Sequence, residues 1–493
     1  MMNYYKTTYK YQLVMVLFVL FALQSCSDFL EQEPGSQTSI TEQLSTKKGI
    51  LSALNGTYGS LEANVRGERF AVYADLQGGN LKFTPTITGN SRGQITIPIN
   101  LENVYSFQDQ ALDSDFTTFY DESYDVINQT NLILEYVDAL PDASDVEKKQ
   151  IKAEALVIRA YSHYLLTLIY SQAVGNTSPD TQLGIVYNKT SLSGGITYPK
   201  RETLTTTYSL IIEDINAALD NFSDKSLLTG PSYSFFNSIN AKALLARVYL
   251  SKNDWQNAFA TANDVILNSG VSLTPTENYI SQWEQTNVPI AENLLEFSIP
   301  RDSGGEVGGS LSSYFGYFSN TNYNKYVASQ DLLGLYESTD IRKQLFLEKA
   351  LPTLINGVFV NVNYSFTKKL QDNPGYSAIR LSELYLIRAE AALELGNLET
   401  AKNDINTIRA RAKATLLTTT DNLEQALLLE RRKELCFEGH LFFDLARRNK
   451  SVSRNDGCLS LNCSLDYPSP KFVLPIPRKN INLNSNLQQN ESY

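Results

Sequence analysis

Histidine is almost missing from this sequence: His163 and His440 are the only two in 493 residues. That scarcity argues against a histidine-rich metal centre, and there is no HExxH helix with its two imidazoles one turn apart. Phosphate-loop, GxSxG and paired CxxC patterns are missing as well, so the sequence offers no cofactor site and no catalytic residue set. Both histidines fall within helical patterns, where a packed or hydrogen-bonded role is expected. Basic charge is short too, with 42 Lys and Arg against 53 Asp and Glu, a net charge of −11 and a pI near 5.0. Such a chain has no field to attract a phosphate backbone, which makes nucleic acid an unsuitable partner. Carboxylates are plentiful, so a surface hydrolase with paired carboxylates stays open, because such a pair assembles only in space. Asp113-Ser114-Asp115 opens like a calcium loop but lacks the glycine and the distal glutamate, and no metal is expected there.

Cysteine is limited to four residues. Cys436 sits in a helical pattern and should be buried and inert. Cys458 and Cys463 flank a short Leu-Ser-Leu-Asn stretch, and that spacing allows either a local disulfide or two free thiols. The fourth, Cys26, closes the tetrapeptide Leu23-Gln24-Ser25-Cys26. It follows the long apolar run at 13–23, which is too short to span a bilayer as a permanent helix and is preceded by Lys6 and Lys10. Together these read as a lipoprotein signal peptide over 1–25, with Cys26 as the lipidated first residue of a mature chain, 26–493, tethered to a membrane by its lipid.

Helical periodicity dominates what remains, over 47–61, 116–140, 145–170, 207–222, 238–268, 379–414 and 421–449. Two of these stretches resemble each other. Setting Ala246 on Ala389 places Asn253-Asp254-Trp255 on Gly396-Asn397-Leu398 and Ala258 on Ala401. Each reads as helix, tight turn and helix, with alanines where the pair must pack closely, which is tetratricopeptide logic. Trp255 is then a packing residue after the turn. The region 267–369 differs, with short alternating runs and Gly- and Tyr-rich loops that suggest small strands laid over the helical frame. Phe472 begins a tail with Pro475 and Pro477 that should lie extended against the body.

Several stretches resemble the SusD/RagB family of nutrient-binding lipoproteins. Cys26-Ser27-Asp28-Phe29-Leu30 is similar to the family's mature opening, and Arg159-Ala160-Tyr161 to its early helix. Arg380-Leu381-Ser382-Glu383-Leu384-Tyr385 with Arg388-Ala389-Glu390-Ala391 resembles its most recurrent helix. Glu430-Arg431-Arg432-Lys433-Glu434-Leu435, Phe437-Glu438-Gly439-His440 and Phe443-Asp444-Leu445 resemble the next signature, and Pro475-Ile476-Pro477 with Asn484, Leu487, Gln489 and Asn490 the terminal one. Leu441, Asn480 and Ser485 depart from the usual residues. The resemblance implies a mainly α fold, a right-handed α-superhelix of four tetratricopeptide-like helix pairs with a loop-rich, minor-β half. It divides 26–493 into an N-terminal part to about 225, a helix pair at about 238–268 and a C-terminal part from about 270. It implies capture of a glycan, or of a peptide in some members, for a SusC-like TonB-dependent transporter, without chemistry on the ligand.

The shared motifs are scaffold motifs, so ligand residues must be sought in loops. Sugar rings present apolar C–H faces to aromatic rings and hydroxyls to polar side chains. Two loops have that mixture: 311–326, with Tyr314, Tyr317, Phe318 and Tyr323, and 90–107, with Arg92 and Tyr105. These six residues are the candidate ligand contacts. Tyrosine is common, 29 residues, and many of its rings must simply be core. A peptide binder or a structural lid of the transporter is the competing expectation, and the charged stretch 430–450 is expected to be a structural network.

Overall fold

The structure is a computed structural model that describes residues 39–175, 178–223, 225–286, 288–297, 311–369 and 375–493. Residues 1–25, expected to be a signal segment, and Cys26 lie outside the described residues.

Among the described residues nine helices carry the frame: α1 (Lys47–Val65), α2 (Thr117–Tyr136), α3 (Asp145–Tyr170), α4 (Leu204–Leu219), α5 (Ser238–Ser251), α6 (Trp255–Asn268), α7 (Leu381–Glu394), α8 (Leu398–Arg411) and α9 (Leu423–Glu434). Each of α1 to α8 packs on the next in sequence, α9 closes against α7 and α8, and α1 also touches α3 as α5 touches α7. That pattern of nearest and next-nearest contacts is a stack of helix pairs, α1/α2 through α7/α8, wound into a superhelix.

Local sequence explains the best-defined ends. α3 begins at a capping box, Ser144 Oγ accepting from the Glu147 N–H while Glu147 accepts from the Ser144 N–H at 2.9 Å, which satisfies donors the helix leaves unpaired. Its next five turns are almost wholly buried. The two similar hairpins turn in the same way. Asn253 (φ 62°) and Gly396 (φ 79°) are both left-handed, and the next N–H returns to the helix in each, Asp254 to the Tyr249 carbonyl (2.9 Å) and Asn397 to the Ala392 carbonyl (2.8 Å). This is a Schellman turn repeated with asparagine in one copy and glycine in the other. Ala246, Ala258, Ala389 and Ala401 are fully buried at the close approaches, and Trp255 packs half-buried on the core.

Over the frame lie the strands β1 (Leu81–Phe83), β2 (Asn293–Phe297), β3 (Tyr317–Ser319), β4 (Asn322–Tyr323), β5 (Tyr326–Ala328), β6 (Phe346–Ile355), β7 (Val358–Thr367) and β8 (Tyr376–Arg380). Four of them form one antiparallel sheet in the order β1-β5-β7-β6. The region expected to hold only small strands thus contains a hairpin of two ten-residue strands, β6–β7, paired from Phe346↔Thr367 to Ile355↔Val358. Asn356 (φ 50°) and Gly357 (φ 80°) make its two-residue turn, the left-handed pair that matches the twist of the strands.

The motif helices are charged because their charges pair inside the protein. Arg380 is fully buried and its guanidinium reaches Glu438 (2.7 and 2.9 Å), Glu292 (2.5 Å) and Glu434 (3.1 Å). Arg411 joins Glu292 and Glu434, both at 2.5 Å, and Arg342 joins Asp340, Glu430 and Glu434. Lys369 donates to Glu438 at 2.6 Å. Glu383 holds Arg247, Asp444 holds Arg431, and Glu390 holds Arg447. Arginines this close keep the buried Glu434, Glu438 and Asp444 carboxyls below their ordinary values despite desolvation. The stretch 430–450 is therefore the structural network expected of it, joining α7 to α9 with the loop-rich half. The tail is extended only through its prolines: past Pro477 it forms a short helix, Arg478–Leu483, where an extended chain was expected. Its side chains take up backbone groups, Gln489 pairing both ways with Ile476 and Asn490 donating to the Tyr170 and Leu474 carbonyls.

Cys458 and Cys463 are joined as a disulfide, and Cys436 is a buried free thiol. His163 is buried with Nδ1 2.9 Å from the Arg159 carbonyl and Nε2 accepting from the Asn188 N–H, and burial pushes its pKa down to about 3. His440 is likewise pushed down to about 4 by burial. Neither imidazole is poised to act as a base near neutral pH. No helix among the described residues is long and apolar enough to cross a membrane, and no group of three or more His, Cys, Asp or Glu among them is placed to hold a metal.

Candidate functional site

The sheet determines where the two candidate loops meet. Residues 84–95 leave β1 and fold back on themselves, with Thr86 N–H donating to the Gln94 carbonyl and Gly93 N–H to the Thr86 carbonyl, both at 2.8 Å. The Gly93 carbonyl then accepts from Leu354 N–H at 2.8 Å, fastening this loop to the edge of β6. Gly93 is left-handed (φ 80°), and a Cβ there would lie 2.5 Å from Cε1 of Phe359. A bare backbone at 93 is what lets the Phe359 ring lie down on the loop.

The second wall is the β3–β4 hairpin, paired Tyr317↔Tyr323 and Ser319↔Asn322. Tyr317 and Tyr323 rest on Phe366 of β7 at centroid distances of 5.1 and 5.9 Å. The Tyr323 hydroxyl donates to the Pro85 carbonyl at 3.0 Å and so ties the two walls together. The Tyr317 hydroxyl donates to Asn320 Oδ1 at 2.5 Å, with the Lys349 ammonium 5.2 Å from the Tyr317 ring. Between the walls is an open cleft of about 410 Å³. Thr86, Thr88 and Arg92 line one side, Asn320, Thr321 and Tyr323 the other, and Pro352 of β6 the end. The Arg92 guanidinium stands 5.9 Å from the Phe359 ring centroid, a cation over an aromatic face.

The six candidate residues do not converge on one point. Arg92 and Tyr323 both line the cleft, and Tyr317 supports it through Asn320. Phe318 is exposed on the same hairpin but is not part of the lining. Tyr314 is half-buried elsewhere, tilted against Tyr326 at 6.4 Å, whose hydroxyl donates to Glu68 at 2.6 Å. Tyr105 requires a correction. It is 1% exposed, edge-on to Phe83 at 5.2 Å, and the Arg454 guanidinium covers its ring at 4.1 Å. A ring so enclosed has no face to offer a ligand; its place is in the core. Thr86, Thr88, Asn320 and Thr321 were not singled out from sequence, and nothing in their local pattern marks them.

A hollow between α3 and α5 is different in kind. A cavity of about 60 Å³ lies between Tyr164, Arg247, Glu383, His440 and Asp444, room for roughly two water molecules. Ser171 and Arg431 line it, and each has a buried polar atom without a partner among the described residues. Its size suits solvent.

Two family models divide the chain between them. The one described as SusD family matches residues 312–493, and the one described as starch-binding associating with outer membrane matches 28–250. This chain belongs to the SusD/RagB family. Relatives with SusD names run along most of it: SusD-like protein P25 of Formosa agariphila is 22% identical over 88% of this chain and 89% of its own length. The starch-binding protein SusD of Bacteroides thetaiotaomicron is 38% identical over 119 residues, 23% of this chain and 21% of that protein. A crystal structure of a SusD superfamily protein from Bacteroides thetaiotaomicron superposes with a TM-score of 0.73 at 26% identity, covering 90% of this chain and 99% of the other. Another from Bacteroides vulgatus gives 0.76 at 23% identity, over 91% and 99%. The SusD/RagB fold thus accounts for the helix pairs, the sheet and the motif charges together.

Proposed function

We propose that this chain is a cell-surface lipoprotein that binds an oligo- or polysaccharide in the cleft between residues 84–95 and the β3–β4 hairpin. It holds its ligand without cleaving it and passes it to a SusC-like TonB-dependent transporter in the outer membrane. The observation that carries the reading is the cleft itself. It is open, lined by hydroxyls, an amide and a guanidinium, and bounded by aromatic rings that a rigid sheet holds in place. Sites with a few fixed polar groups among apolar walls suit amphipathic rings. Among the described residues the lining contains no carboxylate pair of the sort that glycoside hydrolysis uses. Relatives named as starch-binding support a carbohydrate ligand and association with the outer membrane. In this reading 26–493 is one functional unit, consistent with the unbroken series of packed helices from α1 to α8, and Cys26 carries the lipid.

The test is a calorimetric screen of glycans and peptides against the soluble chain beginning at Ser27. Saturable glycan binding, with the glycan recovered intact, is the expected outcome. Binding of peptides alone would replace the reading with a peptide-capture one, and glycan breakdown would make the protein an enzyme. Co-purification of the acylated protein with an outer-membrane transporter tests the partnership separately.

A further inference from the structure

We infer that the cleft is built for an acidic sugar, a uronate or a sulfate ester, with Arg92 binding the charge and the exposed ring of Phe359 carrying the sugar face. This rests on the glycan reading above and narrows it to one ligand class.

The argument begins with charge. Among the described residues no carboxylate lines the cleft, and Arg92 is the one charged residue that does. Its side chain makes no hydrogen bond or ion pair with any described residue. In a chain with 53 acidic and 42 basic residues, the arginines of the core are treated otherwise: Arg342, Arg380 and Arg411 each hold two or more carboxylates. An exposed arginine without a partner is common on protein surfaces and says little alone. This one lines a concave site and also stands 5.9 Å from the ring centroid of Phe359, which lies beside the lining and is not part of it. Stacking narrows the orientations of the guanidinium, and a guanidinium presents its donors as a planar fork that fits a carboxylate or a sulfate.

Phe359 supplies the second half. It sits next to the turn of the β6–β7 hairpin and is 54% exposed, although large apolar side chains are usually covered. Val358 and Val360 beside it are exposed as well, at 63% and 45%. The loop backbone at Gly93 backs the ring on one side, which fixes its plane while leaving surface for a ligand. A sugar whose C–H face lies on Phe359 would bring an acidic substituent within reach of Arg92, and Arg92 in turn borders the cleft that Thr86, Asn320 and Thr321 line. The overall charge of −11 opposes an anionic polymer at long range, but that field is screened beyond about 8 Å at physiological ionic strength, and the contact in the cleft is shorter than that.

The experiment uses the soluble chain beginning at Ser27 and two matched pairs of probes: tetragalacturonate with its carboxyl-reduced form, and a sulfated galactan tetrasaccharide with its desulfated form. At least one acidic probe should bind about tenfold more tightly than its neutral partner, and which pair shows the difference identifies uronate or sulfate. R92Q should bring that ratio to within about twofold, and R92K should keep part of it. F359A should weaken both members of the preferred pair, F359L should fail to restore them although it preserves the apolar contact with Gly93, and F359W should restore them. Both side chains are exposed, so unchanged thermal unfolding is expected of every variant. A neutral probe that binds as well as its acidic partner, or an acid preference that survives R92Q, overturns the inference and leaves glycan binding standing. Failure of every glycan in the wider screen removes the reading beneath it.

Discussion

Replacing Arg380 by methionine removes the hub of the buried charge network and measures what that network contributes. The wild-type guanidinium makes four contacts with three carboxylates and a further bond to Ser382 at 2.6 Å. Without it Glu438 keeps Lys369, and Glu292 and Glu434 keep Arg411. Each acid loses one cation, and none is stranded. Breaking a buried pair by removing one partner costs about 3–5 kcal/mol, and the remaining cations place this substitution toward the lower end of that range. Trp283 is a native reporter, 4% exposed with its ring 5.2 Å from the Arg380 guanidinium, and one of only two tryptophans. Urea denaturation followed by its emission gives the loss directly. Adding Glu438→Gln to Arg380→Met removes one of the under-compensated charges, so the double variant should exceed the additive expectation by about 1 kcal/mol or more. A loss below about 1 kcal/mol with additive behaviour would refute the claim that these motif charges bind the two halves together.

Three further outcomes follow from other parts of the molecule. Gly93→Ala forces a Cβ against Phe359 at a left-handed position, and should detach the 84–95 loop from β6 at a cost of about 1–3 kcal/mol locally, read as faster hydrogen exchange at Leu354 with little change in global unfolding. Glu154 is buried, and desolvation raises its carboxyl to about 7 from an ordinary 4.5. Its folded-state value lies above the unfolded one, so the stability it contributes is present below about 4.5 and lost as pH rises through about 7. Relative to Glu154→Gln, the wild type should therefore gain up to about 3 kcal/mol between pH 7.5 and 4.5, measured as the difference in denaturation midpoints. Replacing Cys458 and Cys463 by serine opens a loop of only five residues' separation and should cost about 2 kcal/mol, and the unfolded, unreduced chain beginning at Ser27 should expose a single alkylatable thiol, that of Cys436.

The helices were legible because their signals are local. The capping box of Ser144 and Glu147 marks the start of α3, and the left-handed turns at Asn253 and Gly396 are visible as a match between two stretches of sequence. The charged stretch around Glu430 was legible as a network, although its partners Arg342 and Lys369 were not. The sheet was harder. Asn356-Gly357 is a strong hairpin signal within an alternating run, and it marks β6–β7, but the pairing of β1 with β5 joins Leu81 to Ala328, a contact no local pattern encodes. The site suffers from the same distance. Arg92 and Tyr323 share a cleft because the sheet brings their loops together, whereas Tyr105 looks like a loop aromatic until the fold places Arg454 over it. Nothing in the sequence marks Phe359, because an exposed phenylalanine and a buried one look alike in an alternating strand.

The most direct test of the account is a crystal structure of the chain beginning at Ser27 with the oligosaccharide that the calorimetric screen selects. The account predicts an intact sugar chain between the 84–95 loop and the β3–β4 hairpin, in contact with Arg92 and Asn320. Sugar bound elsewhere, for instance beside Tyr314 and Glu68, or density for a cleaved product, would contradict it.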